Sequence, residues 1–119
     1  MNRLYATYGL RTLNKEHVEY QPYYKGKLHD RDAAYHQGTA WAYPLGAFVT
    51  AYVKVFGKTE YAKAYVRKII EPMADHLRDG CIGSIAEIFD GNDPNISRGT
   101  YALAWSGGEL LRAYTEDVL

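Results

Sequence analysis

Trp41-Ala42-Tyr43-Pro44-Leu45-Gly46-Ala47-Phe48-Val49-Thr50-Ala51-Tyr52-Val53-Lys54-Val55-Phe56 is the stretch on which the reading of the fold turns. Trp41, Leu45, Phe48, Val49, Tyr52, Val53 and Phe56 recur three and four residues apart, the repeat of one buried helical face. The pattern runs from about Asp32 to Phe56. Pro44 belongs in the first helical turn, where its missing N–H costs nothing, and Gly57 ends the helix. A second helical pattern opens at Thr59, a plausible N-cap, and runs through Ala62, Tyr65, Val66, Ile69, Ile70, Met73 and Leu77 to Gly80. Pro72 should kink or split it. A third, from about Thr100 to Val118, places Tyr101, Ala104, Trp105, Leu110, Leu111 and Tyr114 close to one face. No strand pattern is strong enough to build a sheet, and no internal repeat is visible.

The remainder is loop-like. Gly9, Asn14, Pro22 and Gly26 punctuate an N-terminal third, Met1 to Asp32, without sustained periodicity. A segment of that length without structure is usually functional or laid across a partner. Cys81 to Asp90 is neither clean helix nor clean strand, and Gly91-Asn92-Asp93-Pro94-Asn95 is turn-rich.

At 119 residues the chain has room for one core, residues 1–119 as a single segment. Its 14 basic side chains cancel its 14 acidic ones, which removes the positive field needed to grip a polyanion and argues against nucleic acid as a partner. No run of about 18 apolar residues is present, so no membrane-spanning helix is expected. The start, Met1 to Tyr8, lacks the apolar stretch of a signal peptide. A lone cysteine, Cys81, cannot form an internal disulfide and suits a reducing, cytoplasmic setting. Twelve Tyr and 2 Trp against 3 Phe favour rings with a polar edge, which commonly line half-wet clefts.

Two clusters could carry chemistry. The first is His29-Asp30-Arg31-Asp32-Ala33-Ala34-Tyr35-His36-Gln37-Gly38-Thr39-Ala40-Trp41, polar residues just ahead of a buried helix. Arg31 and Asp32 could pair or meet ligand hydroxyls, His36 and Gln37 could donate and accept, and Trp41 could offer a flat face. The structural alternative is a salt-bridged helix start with Trp41 in the core. His29, Asp32 and His36 lack the spacing and third ligand of a metal framework, so no metal is expected; nor do Pro94 and Asn95 fit a calcium loop. The second cluster is Gly83-Ser84-Ile85-Ala86-Glu87-Ile88-Phe89-Asp90-Gly91. Apolar neighbours would strip water from Glu87 and raise its pKa, the setting of a general acid or base. Alternatively Glu87 points outward or pairs with Arg98. Cys81 has no obvious neighbouring base and reads as a small packed side chain.

Taken in order, Gly9-Leu10-Arg11-Thr12-Leu13, Arg31 through Trp41, Gly83 through Gly91, Arg98-Gly99 and Ala104-Trp105-Ser106 resemble the C-terminal part of glycogen debranching enzymes of the amylo-α-1,6-glucosidase type. The resemblance covers nearly the whole chain. It implies an all-α fold, here a partial (α/α)6 barrel of three or four helices with long loops. It also implies inverting hydrolysis of α-1,6-linked glucose at a glycogen or dextrin branch point, without a cofactor. By likeness to glucoamylases it points to Glu87 as general base, with Arg31, Asp32, His36, Gln37, Trp41 and Trp105 forming or bracing a glucose subsite. An inverting site needs a second carboxyl about 6.5–9.5 Å away, which the family carries upstream of this region, so the chain alone should be inactive.

The chain departs from the family at Trp41-Ala42-Tyr43, where Trp-Pro-Trp is common, and at Leu103, where a Gln usually precedes Ala-Trp-Ser. The alternative is a non-catalytic helical remnant that binds oligosaccharide or assembles with another chain. Either way, surface meant to be covered predicts oligomerisation, association with the missing N-terminal portion, or marginal stability.

Overall fold

The computed structural model describes residues 3–119; the reading of Met1 and Asn2 as part of a non-signal start lies outside them. The elements are β1 (Tyr5–Ala6), β2 (Gly9–Arg11), α1 (Leu28–Tyr35), β3 (Ala40–Trp41), α2 (Tyr43–Phe56), α3 (Glu60–Ile70), α4 (Pro72–His76), β4 (Ile88–Phe89), β5 (Ser97–Arg98) and α5 (Ala104–Ala113), which runs into a π-helical turn, Tyr114–Val118.

The expectation of an all-α partial (α/α)6 barrel is overturned by a five-stranded antiparallel sheet in the order β1-β2-β3-β4-β5. The fold is mixed helix and sheet. Its strands are two or three residues long, too short to show an alternating pattern, and β3 and β4 are buried at every position. Fully buried short strands read in sequence as loop or as fragments of helix. Register is specific nonetheless: Leu10 faces Trp41, Trp41 faces Ile88, and Ile88 faces Arg98. The sheet also interrupts the pattern expected from Asp32 to Phe56, which divides into α1, β3 and α2.

The central helix forms as its spacing predicts. Pro44 lies in its first turn and Gly57 closes it at a φ of 80°. Leu45, Val49 and Val53 are fully buried; removing each from water contributes about 1.5–3 kcal/mol. Leu45 joins Ala6, Ala40, Met73, Ile85, Phe89 and Leu110 in a core between sheet and helices. Val49 and Val53 join Val66, Ala113 and Val118 in a second core between α2, α3 and the C-terminal turn.

Thr59 caps α3, its hydroxyl accepting the Ala62 N–H at 3.1 Å. Thr59→Ala should therefore cost about 1 kcal/mol, read as a lowered midpoint in urea unfolding with an unchanged slope. Pro72 splits the second pattern into α3 and α4, as expected.

The last helix is present, but its expected face is split. Ser106, Leu110 and Ala113 pack inward, while Tyr101, Trp105 and Leu111 are exposed. Of the apolar stripe read from the sequence, Leu110 is thus buried and most of the rest lies outward. With α3 and α4, helix α5 borders an open apolar groove of about 1220 Å³, lined by Ala104, Gly107 and Gly108 among others.

Behind β4, His76 is 3% exposed and its Nε2 accepts the Ala86 N–H at 3.1 Å. That bond needs an unprotonated Nε2. Burial lowers the His76 pKa below its ordinary 6.5, partly opposed by Asp79 4.0 Å from Nδ1. The folded state therefore disfavours the proton, and the unfolded chain binds it first. Stability contributed by neutral His76 is whole above pH 6.5 and is lost as pH falls through the lower folded value. Thermal melts should show a drop between pH 7.5 and pH 5, reduced in His76→Gln, whose amide oxygen can accept the same N–H.

Candidate active site

Glu87 stands directly before β4, between buried Ala86 and Ile88 and beside the segment that leads to α5. Its neighbours Ile85, Ile88 and Phe89 are at most 7% exposed, while Glu87 itself is half-buried. Ile85 and Phe89 belong to the core between sheet and helices, whereas the Ile88 side chain stays near the Glu87 carboxylate, both lying close to Gly99. Glu87 opens into a cavity of about 720 Å³ lined by Tyr24, Arg31, Arg98, Thr100, Tyr101 and Ala102, among others. Among the described residues lining this cavity Glu87 is the one carboxylate.

Both carboxylate oxygens are engaged. Oε1 accepts the Tyr35 hydroxyl, and Oε2 accepts the Thr100 N–H at 3.1 Å. The absence of a side chain at Gly99 makes room for this approach, since a Cβ there would lie 2.6 Å from Oε2. The Glu87 N–H also donates to the Thr100 carbonyl at 2.8 Å, so the two segments are tied by backbone as well as side chain. Burial and the bond to Glu87 push the Tyr35 phenol up to about 12, leaving it a protonated donor across the neutral range.

Arg98 does not pair with Glu87. Its Nε and Nη2 donate to the two oxygens of Asp90, each at 3.1 Å, and Asp90 is 1% exposed. This two-point contact holds Arg98 at the cavity wall and raises its pKa. Asp90 thus braces a loop and is not available as an acid at the site.

The remaining residues expected at a subsite separate into four groups. Arg31 reaches the cavity beside the ring of Tyr24, 5.9 Å from its centroid. Its side chain makes no hydrogen bond or ion pair among the described residues, and its Nε is buried without a partner. It does not pair with Asp32, which is exposed on α1 with His36 and Gln37 just beyond. Trp41 is 5% exposed and is a brace: its indole N–H donates to the Tyr35 carbonyl at 2.9 Å and its ring stacks on His36. Trp105 is 55% exposed, stacked on Tyr43 at 3.7 Å, and lies outside the residues lining the Glu87 cavity.

Tyr24, Tyr35, Thr100 and Tyr101 are the cavity residues and carboxylate partner that side-chain chemistry does not single out, whereas Arg98 is named in the sequence as a possible partner of Glu87. For Tyr35 a signal exists, because it sits inside a quoted motif; for Tyr24 and Tyr101 there is only the abundance of tyrosine. His29, Asp32 and His36 do not converge, and among the described residues no three His, Cys, Asp or Glu side chains are placed to hold a metal ion. No helix among them is long and apolar enough to cross a membrane.

The family model described as amylo-alpha-1,6-glucosidase matches residues 1–112 of this chain. The chain belongs to the amylo-alpha-1,6-glucosidase family. No curated protein matches it. The matched span contains every element from β1 through all but the last residue of α5, and with them Glu87, Tyr35, Arg31 and Thr100. The amylo-alpha-1,6-glucosidase match makes the chain a C-terminal part of a glycogen debranching enzyme and a region related to the glycoside hydrolases.

Proposed function

We propose that this chain supplies the general base, Glu87, and one wall of the glucose subsite of a hydrolase that frees α-1,6-linked glucose at glycogen or dextrin branch points with inversion. The observation that supports this reading most is the Glu87 carboxylate held by two donors at the edge of an open cavity, opposite an Arg31 side chain with unused donors. Tyr24 and Tyr101 add rings with polar edges, suited to a sugar's mixed surface.

In this reading Glu87 accepts a proton from a water whose oxygen bonds C1 of the glucose. The C1–O6 bond breaks on the opposite face, and a second carboxyl donates its proton to O6. The products are β-glucose and an unbranched chain. Glu87 is the one carboxylate among the described residues lining the cavity, so the acid comes from an N-terminal portion of the catalytic domain. The exposed Trp105 and Leu111 side chains of α5 belong to the surface that portion covers.

The test is release of glucose from a branched limit dextrin by the chain alone and in association with the N-terminal portion of an amylo-alpha-1,6-glucosidase catalytic domain. The chain alone should be inactive and the mixture active, with β-glucose as the first anomer by proton NMR. A folded, associated mixture that releases no glucose overturns the hydrolase reading; α-glucose as the first product overturns inversion.

A further inference from the structure

We propose that Tyr35 is a positioning residue, whose hydroxyl fixes the plane of the Glu87 carboxylate so that a free lone pair faces the cavity; this rests on Glu87 being the general base. The carboxylate has four acceptor positions. Two are taken, one on each oxygen, by the Tyr35 hydroxyl and the Thr100 N–H. Two donors on different oxygens leave the group one orientation, where a single donor would allow it to rotate.

Tyr35 is itself held from three sides. As the last residue of α1 its carbonyl accepts the Thr39 hydroxyl and the Trp41 indole N–H, both at 2.9 Å. Thr39 and Trp41 are buried, so these anchors do not move with solvent. The ring lies against Trp41 at 4.7 Å, His36 at 4.8 Å and Tyr24 at 5.4 Å between centroids. Buried Trp41 therefore reaches the site through Tyr35. A reacting geometry displaced by about 1 Å can cost on the order of 10²-fold in rate, which sets the scale for losing the hydroxyl.

Tyr35→Phe keeps the ring and its packing and removes only the donor. In the associated mixture it should lower kcat about 10- to 100-fold, with KM within about twofold because Arg31 and the aromatic wall remain, and with a cooperative thermal melt retained. Glu87→Gln is measured beside it. An unchanged kcat in Tyr35→Phe, with Glu87→Gln inactive, overturns the positioning role and leaves the base assignment standing. A fully active Glu87→Gln overturns the base assignment and this inference with it. Loss of cooperative melting in Tyr35→Phe, or a KM that rises as far as kcat falls, assigns Tyr35 a structural role and overturns the proposal.

Discussion

Glu87→Gln should lower glucose release from a branched limit dextrin by about 10²- to 10⁴-fold, the usual range for removing a general base, while the chain folds as before. The substitution keeps size and shape and removes the ability to take a proton. Its hydrogen bonds can be rebuilt. The Gln oxygen can accept the Thr100 N–H in place of Oε2, and the Gln amide can donate to the Tyr35 oxygen, since a phenol both donates and accepts. A thermal melt close to that of the unsubstituted chain is therefore expected beside a collapse of kcat. Full activity in the associated mixture would remove Glu87 from the mechanism, and no other carboxylate among the described residues lining the cavity could take its place.

Where the sequence carried long repeats, the structure follows them. The buried face at Leu45, Val49 and Val53, Pro44, Gly57, the Thr59 cap and the break at Pro72 each rest on local chemistry that packing did not oppose, whereas at the two ends of the stripe Trp41 falls in β3 and Phe56 is exposed. The sheet was illegible for a physical reason. Strands of two or three residues carry no period, and their hydrogen bonds join positions as far apart in sequence as Leu10, Trp41 and Ile88. A third of the chain that seemed patternless contains two of the five strands. Helix α5 shows another limit: its apolar side chains outnumber what its own partner α2 can cover, so composition could not say which stripe faces inward.

For the site, the motif containing Glu87 is legible in the sequence, and of the readings open for its side chain the outward one fits the structure better than a carboxylate stripped of water by apolar neighbours. Neighbours in sequence need not be neighbours in space, because along a strand successive side chains point to opposite faces. Ile85 and Phe89 lie in the core, Ile88 stays near the carboxylate at Gly99, and Glu87 reaches Tyr35, fifty-two positions earlier in the chain. Pairing of Glu87 with Arg98 failed on the same ground, because Asp90 lies closer and more deeply buried. Trp41 lies in the core, as the structural alternative for its segment has it, and anchors Tyr35 through its indole N–H.

The sheet and the site are mechanically one object, and Gly9→Ala should show it. Gly9 pairs with Ala6 in β2 while its Cα faces the backbone of β3. A Cβ there would collide with the Trp41 carbonyl oxygen and stand 2.6 Å from the carbonyl carbon and 3.1 Å from the Ala42 nitrogen. These are backbone atoms and cannot rotate aside, so β2 and β3 must separate or the strand must tilt. The expected cost is about 2–4 kcal/mol, a fall in melting temperature on the order of 10 °C. Gly108→Ala is the matched control: it lies inside α5 with no atom within 4 Å of its would-be Cβ, and the same substitution there should stabilise by about 0.5–1 kcal/mol. The two changes add the same methyl group with opposite sign. Gly9→Ala should also reduce glucose release in the associated mixture at temperatures where the chain is still folded, because displacing Trp41 displaces the indole that anchors Tyr35, and with it the Glu87 carboxylate. A Gly9→Ala chain that melts with the unsubstituted one would mean that β2 does not lie against β3, and one that melts lower but keeps full kcat would separate the sheet from the site.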